Sequence, residues 1–350
     1  MRISKVVKIG NIQIGGGNPV AVQSMTNTDT ADREKTLRQI KRLEKAGCEI
    51  VRFTVNTLDA AKNIAYFKER TSVPLVADIH FDYKLALESA AAGIDKIRIN
   101  PGNIGSADRI KKVCDSCRLR GIPIRVGVNG GSLEKELLAK YGGATPQAIA
   151  DSAAKACRAL ERFDFEDIVV SVKSSDVRTM IAANRLIAAQ CDYPLHLGVT
   201  EAGGGEQAVV KSSAGIGALL AEGIGDTLRV SLTDDVVKEV KAGYELLYAL
   251  DLRPHIELVS CPTCGRTKFD LIHVYRKLYI ELAKIKTNKT IKVALMGCPV
   301  NGPGEAASAD IGIAGGKGEG TLFFKGVPVR TVPQDKMIEV LLEEVRKMVL

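Results

Sequence analysis

The chain has 350 residues, 45% hydrophobic and 26% charged, an ordinary balance for a globular protein. No apolar run approaches the ~20 residues that cross a bilayer, and no long basic tract or set of stacking aromatics marks a nucleic-acid binder. The net charge of +8 suits an anionic substrate or an acidic protein partner instead.

The first residues, MRISKVVKIG, lack the apolar core and small-residue cleavage site of a signal peptide, so a cytoplasmic location is expected. In that reducing setting the eight cysteines are expected to be buried, metal-bound or reactive rather than paired. VVKIGNIQIGGG reads as a hairpin, placed to close the bottom of a barrel. From residue 20 to about 248, β-branched or apolar runs alternate with helical patterns. The runs are VAVQSM (20–25), IVRFTV (50–55), LVADIH (75–80), KIRIN (96–100), IRVGVN (124–129), IVVSVK (168–173), LHLGVT (195–200) and TLRVSL (227–232). Strands separated by crossover helices are parallel. About eight such units predict an α/β fold with an N-terminal TIM (β/α)8 barrel. An open doubly wound sheet is the other reading, but no run is followed by a G-x-G-x-x-G turn.

After about residue 253 the pattern changes. HIELVSCPTCGR reads as a strand and a cysteine turn, FDLIHVYRKLYIELAKIKT as an amphipathic helix, and IKVALMG as a strand ending at another cysteine. IGIAGG, GTLFFKG and VPVRTV read as short strands, with a tight turn at KG. DKMIEVLLEEVRKMVL closes the chain as a helix. The expected division is a barrel over 1–252 and a small α+β domain over 253–350.

Chemistry in a TIM barrel sits at the C-terminal ends of the strands. Those ends carry Gln23, Arg52, His80, Arg98 with Asn100, Arg125 with Asn129, Lys173, Glu201, and Arg229 with Ser231. Alternate strand residues share a face, so several cations converge if that face is the interior. Unpaired buried cations cost several kcal/mol each. A multiply charged anion offsets that, and arginine forks match phosphate oxygens. A phosphorylated, and indeed diphosphorylated, small substrate is the inference. Arginines turned outward and paired with helix carboxylates are the plainer reading of each one singly. Glu201 is the candidate acid, because the cations otherwise lack company of opposite sign. The GGG at 203–205 opens a helix where backbone N–H groups can hold phosphate. GGKGEG at 315–320 is a turn rather than a Walker A loop, since no Ser or Thr follows its lysine.

Cys261 and Cys264 form a C-x-x-C turn, and Cys298 enters the Pro/Gly loop MGCPVNGPGEA. Cys-Pro at both sites is a setting of iron–sulfur loops. A structural zinc wants four ligands and shows a second pair; here one pair meets one single cysteine, with His255 and His273 as further zinc candidates. Three thiolates suit a 4Fe–4S cluster with one iron ligated differently. A zinc site and a thiol redox pair stay open on spacing alone. Cys114 and Cys117 repeat the C-x-x-C spacing, but within a helical pattern and without a Pro or Gly turn, so they read as core. Cys48, Cys157 and Cys191 read likewise.

The motifs VAVQSMTNTDT, VRFTVN, ADIHFDY, KIRINPGN, IRVGVNGGSLE, SVKSSD, GVTEAGGG, LRVSLTDD, SCPTCGR and MGCPVNGPGEA span the chain. Together they resemble the 4-hydroxy-3-methylbut-2-enyl diphosphate synthase family, iron–sulfur enzymes of the methylerythritol phosphate route, in the two-domain bacterial form. The resemblance implies a two-electron reductive ring opening of 2-C-methyl-D-erythritol 2,4-cyclodiphosphate with loss of water. It implies cluster ligands Cys261, Cys264, Cys298 and Glu305, with Asn301 beside them. It implies diphosphate contacts from Arg52, His80, Arg98, Arg125, Lys173, Arg229 and Ser231, with Asn129 nearby, and Glu201 as the acid. It also implies a homodimer whose active site forms between subunits, with electrons from reduced flavodoxin or ferredoxin. A zinc-containing phosphate-sugar lyase or transferase of TIM-barrel type is the alternative carried forward.

Overall fold

The computed structural model describes residues 2–299 and 308–349, with Ser132 described by its backbone alone. The chain divides into two compact units, Met1–Leu250 and Asp251–Leu350.

The first unit opens on a hairpin, β1 (Val7–Ile9) and β2 (Ile12–Ile14). Eight parallel strands follow: β3 (Ala21–Met25), β4 (Ile50–Thr54), β5 (Leu75–Asp78), β6 (Lys96–Ile99), β7 (Ile124–Asn129), β8 (Ile168–Lys173), β9 (His196–Leu197) and β10 (Thr227–Leu228). Their order, β8-β7-β6-β5-β4-β3-β10-β9, is closed by a bridge between Val170 and Leu195. The predicted TIM barrel is what forms. Hairpin residues Val7, Ile9 and Ile14 pack on Ala21, Ile50, Val76 and Val169, inward residues near the strand starts. This apolar plug seals the N-terminal end and leaves the opposite end as the mouth.

Crossover helices begin where a short polar side chain meets orphan N–H groups. Thr57, Thr145, Asp176 and Asp235 cap α2 (Leu58–Lys68), α7 (Pro146–Glu161), α8 (Val177–Gln190) and α10 (Val236–Ala249) in this way. The last two barrel strands are shorter than LHLGVT and TLRVSL predict, with two ladder residues each. Gly198 follows β9, and a Cβ there would stand 2.8 Å from Lys173 Nζ. A position without a side chain holds its strand weakly, and here the space belongs to the lysine.

The second unit is a five-stranded sheet in the order β11 (Ile256–Ser260), β12 (Ile291–Met296), β13 (Ile311–Gly315), β14 (Glu319–Phe324), β15 (Val327–Pro333). The first three strands are parallel and the last two pairings antiparallel. Lys325 and Gly326, both at positive φ (46° and 77°), make the two-residue turn between β14 and β15. Helices α11 (Leu271–Leu282) and α12 (Met337–Val349) bury Leu271, Val274, Leu278, Leu341 and Val345 against Val293, Leu295 and Ile313. On the opposite face, Ala294, Met296, Ala314 and Phe323 form a smaller cluster that Val259 and Cys261 abut.

Candidate active site

Strand register brings the barrel cations together. Asp78, Arg98 and Arg125 are cross-strand neighbours on β5, β6 and β7, and Asn129 faces Lys173 across β7 and β8. Asp78, almost fully buried, takes Arg98 Nη1 at 3.2 Å, Arg52 Nε at 3.7 Å and His80 Nε2 at 3.9 Å. Glu239, on α10, grips Arg229 with both oxygens, at 3.0 and 2.8 Å. The same carboxylate accepts from Ser24 Oγ at 2.7 Å and Leu232 N at 3.1 Å. Among the described residues, the Arg125 side chain reaches only Gln23 Oε1, at 3.3 Å.

Two glycines make room for these long side chains. A Cβ on Gly127 would stand 2.4 Å from Arg98 Nε, and Gly198 gives Lys173 its seat. Glycine is the residue that lets another group come this close to the backbone.

Five cations, Arg52, Arg98, Arg125, Lys173 and Arg229, thus share the mouth with two buried carboxylates. Burial pulls Arg52 down to about 10 against the opposing pull of Asp78. Burial, then the neighbouring arginines, push Arg125 and Lys173 well below their ordinary values. A guanidinium keeps its proton in proteins, so for Arg125 the repulsion is stored as instability. A bound polyanion relieves it.

Asp78 and Glu239 were missed in the sequence, and they correct the argument for Glu201. The cations have their carboxylate company without it. Glu201 lies in the loop after β9, exposed, and makes no ion pair among the described residues. Its backbone is at φ 54°, a left-handed conformation that a non-glycine residue holds at a cost of about 1–2 kcal/mol. His80 sits at the exposed outer edge, and Ser231 is half-buried two residues beyond Arg229. Asn100 caps the short α4 (Pro101–Ile104), accepting from Gly102 N. Asp78 had a signal, since it alternates with His80 in LVADIH. Glu239 had another, a charge on the apolar stripe of α10.

Below the mouth lies a second polar layer. Gln23 Nε2, Lys96 Nζ, Arg125 Nε and His196 Nε2 are buried with no hydrogen-bond partner among the described residues. His196 Nδ1 meets Thr227 Oγ1 at 2.8 Å. Burial, then Arg125, push both Lys96 and His196 well below their usual values. Lys96→Met removes a buried donor that has no acceptor, and urea unfolding should show a gain of about 1–3 kcal/mol. The sign with pH is also set. Between the folded value of Lys96 and its unfolded value near 10.5, the unfolded chain carries a proton that the folded chain lacks. Stability therefore rises with pH across that window, and Lys96→Met should flatten the rise by up to about 1.4 kcal/mol per pH unit.

The three cysteines of the second unit form another constellation. Cys261 follows β11 and Cys298 follows β12, adjacent parallel strands whose ends are in register at Ser260 and Leu295. Gly297 N donates to Cys261 Sγ at 3.2 Å. Lys268 N donates to Gly297 O at 3.0 Å, and Cys264 N donates to Thr267 Oγ1 at 3.2 Å. The two loops are therefore knitted together. Arg266 lies within electrostatic reach of Cys264, Cys298 and Cys261. The N–H of Arg266, then its guanidinium, hold the exposed Cys264 thiol below its ordinary value. Burial pushes Cys48, Cys114 and Cys117 the other way, to about 12. Cys114 and Cys117 are core residues of α5 (Ala107–Arg120), as their helical pattern implied. Cys157 and Cys191 are likewise raised by burial. Among the described residues, no three Cys, His, Asp or Glu side chains gather as a single metal ion requires. Asn301 and Glu305 lie outside the described residues.

A family model for the GcpE TIM-barrel domain matches residues 4–244, and one for the GcpE protein C-terminal domain matches 257–347. The chain belongs to the GcpE family. It is 55% identical over 349 residues to a 4-hydroxy-3-methylbut-2-en-1-yl diphosphate synthase (flavodoxin) of Caldanaerobacter subterraneus subsp. tengcongensis, across 99% of this chain and 98% of that relative. A protein of the same name from Fusobacterium nucleatum subsp. nucleatum is 54% identical, across 99% and 97%. GcpE membership sets aside the zinc-dependent lyase or transferase. Among solved structures, a type I 3-dehydroquinate dehydratase from Clostridium difficile aligns with a TM-score of 0.51 at 14% identity, covering 71% of this chain and 99% of that one. A Yersinia pestis dihydropteroate synthase aligns at 0.50 and 13%, covering 70% and 98%. At such identities the likeness is one of fold.

Proposed function

We propose that the barrel mouth binds 2-C-methyl-D-erythritol 2,4-cyclodiphosphate and that Cys261, Cys264 and Cys298 hold a 4Fe–4S cluster that supplies the electrons. As a GcpE-family member the chain is an enzyme, an oxidoreductase making 4-hydroxy-3-methylbut-2-enyl diphosphate for isoprenoid synthesis. One observation carries the substrate assignment: five cations against two carboxylates at the mouth. Arg52, Arg98, Arg125, Lys173 and Arg229 take the diphosphate oxygens, with His80, Asn129 and Ser231 at the rim. A fixed diphosphate orients the carbon ring relative to the acid.

The thiols fit the cluster. Cys264 is drawn toward thiolate, Gly297 N–H already donates to Cys261 Sγ, and Arg266 lies within electrostatic reach of all three sulfurs. A zinc ion draws its ligands to within about 2.3 Å; a multi-iron cluster spreads its thiolates more widely. When bound, the cluster supplies electrons singly and an iron with an exchangeable ligand. Glu305 is the proposed fourth ligand, with Asn301 beside it. Glu201 is the proposed proton donor to the departing oxygen, and its strained backbone accords with a functional site.

Reduced flavodoxin is the proposed donor, as in the names of the relatives; ferredoxin is the other carrier of this class. The working form is proposed as a cytoplasmic homodimer with each active site completed by a second copy. No helix among the described residues is long and apolar enough to cross a membrane.

The test is anaerobic turnover of the cyclic diphosphate with dithionite, with product identified by mass. Wild type should form the linear diphosphate. Glu201→Gln should keep the visible cluster band and slow turnover by 10²-fold or more. Full activity in that variant would remove Glu201 from its role.

A further inference from the structure

Positive charge in this chain is concentrated in one short segment. Residues 253–299 hold nine Lys and Arg against three Asp and Glu, an excess of six out of the chain's +8. The rest of the second unit that is described, 308–349, is balanced, with six of each sign. The segment contains the cysteine turn and α11.

Helix α11 has two faces. Leu271, Val274, Leu278 and Leu282 turn toward the sheet. On the other side, Ile272, Arg276 and Ile280 fall in one row at i, i+4 and i+8, with Lys277 alongside. Ile272 is 51% exposed and Ile280 57%. The two acids at this helix are already engaged: Asp270 accepts from His273 N at the N-cap, and Glu281 pairs with Lys284 at 2.5 Å. Arg276 and Lys277 pair with no carboxylate among the described residues. Single exposed apolar residues are normal on a protein surface. A row of them framed by uncompensated cations is the pattern of a docking face, with an apolar centre and a charged rim that steers. The helix starts at Leu271, seven residues after the exposed Cys264, and Lys268 lies between.

We propose that the outer face of α11, centred on Ile272, Arg276, Lys277 and Ile280, is where an acidic electron-carrier flavoprotein docks to deliver electrons at the cysteine turn. This rests on the reductase reading above. Charge complementarity selects the occupant. A carrier with an acidic rim around its flavin finds its opposite here, whereas a second copy of this +8 chain would bring like charge to it.

The experiment uses the anaerobic holoenzyme and a flavodoxin. Arg276→Glu with Lys277→Glu should raise the KM for reduced flavodoxin at least tenfold at low salt and flatten its dependence on ionic strength. Dithionite-driven turnover, which bypasses docking, should be unchanged. Arg346→Glu with Lys347→Glu, on α12, makes the same charge change elsewhere and should leave the flavodoxin KM unaltered. Binding of oxidised flavodoxin, read by flavin anisotropy, should weaken in parallel with KM. An unchanged KM and unchanged binding in the α11 variant would overturn the proposal. So would a changed oligomeric state with parallel loss of both activities, which would assign the face to a second copy. Failure of wild type to turn over with dithionite would count against the reductase reading alone, since anisotropy still reads docking.

Discussion

Asp78→Asn should give a protein that is markedly less stable when empty and regains most of the loss when the cyclic diphosphate is added. Asp78 is the carboxylate between Arg98, Arg52 and His80. Burial alone would raise its pKa, but Arg52 and Arg98 outweigh burial and hold it below the ordinary carboxylate value. Removing one partner of such a buried pair costs about 3–5 kcal/mol, because the remaining charges stay buried and uncompensated. The substrate brings negative charge to the same cations, so the stabilisation it confers should be larger in Asp78→Asn than in wild type. Urea unfolding with and without ligand measures both. The pH dependence follows from the same shift. A carboxylate with a depressed folded pKa contributes stability above its unfolded value, and that contribution is lost as pH falls from about 4 through the folded value. Asp78→Asn should lack this part of the acid limb. Equal ligand stabilisation in the two proteins would place the diphosphate somewhere other than this cup.

Cys264→Ala should abolish turnover, by 10³-fold or more, while leaving binding of the cyclic diphosphate intact. Its thiol is exposed, drawn toward thiolate and set beside Arg266, the surroundings a metal-binding sulfur needs. The barrel cations lie in the other compact unit. Cys114→Ala is the matched control. It has the same C-x-x-C spacing, but its thiol is buried in α5 and pushed up to about 12. It should keep the visible band and activity and lose only about 1 kcal/mol of packing. Loss of the band in both variants, or in neither, would contradict the assignment of the ligands.

The barrel was legible because eight apolar runs alternate with helical periods, and parallel pairing needs those crossovers. The cations were legible because alternation puts Arg98 with Asn100 and Arg125 with Asn129 on one face. Their partners were harder to see. Glu239 reaches Arg229 from a helix ten residues later, and nothing local to LRVSL announces it. The plainer reading held in part for one residue: Arg229 does pair with a helix carboxylate, yet inside the barrel mouth, whereas Arg52 and Arg98 pair with Asp78 on a strand. Lys96 and His196 lie on the inward face below Arg98 and Gly198, a layer that barrels ordinarily fill with branched apolar residues. Their alternation was visible, but an apolar interior was the default. The end of β9 was overestimated because Gly198 serves a neighbouring lysine, a long-range demand that local pattern does not record.

The most direct measurement is iron and acid-labile sulfide per chain in protein prepared without oxygen, with the visible spectrum taken before and after dithionite. About four of each, with a broad band that bleaches on reduction, is the expected result. Zinc without sulfide, in protein kept anaerobic throughout, would contradict the central claim that these three thiols serve a reductase.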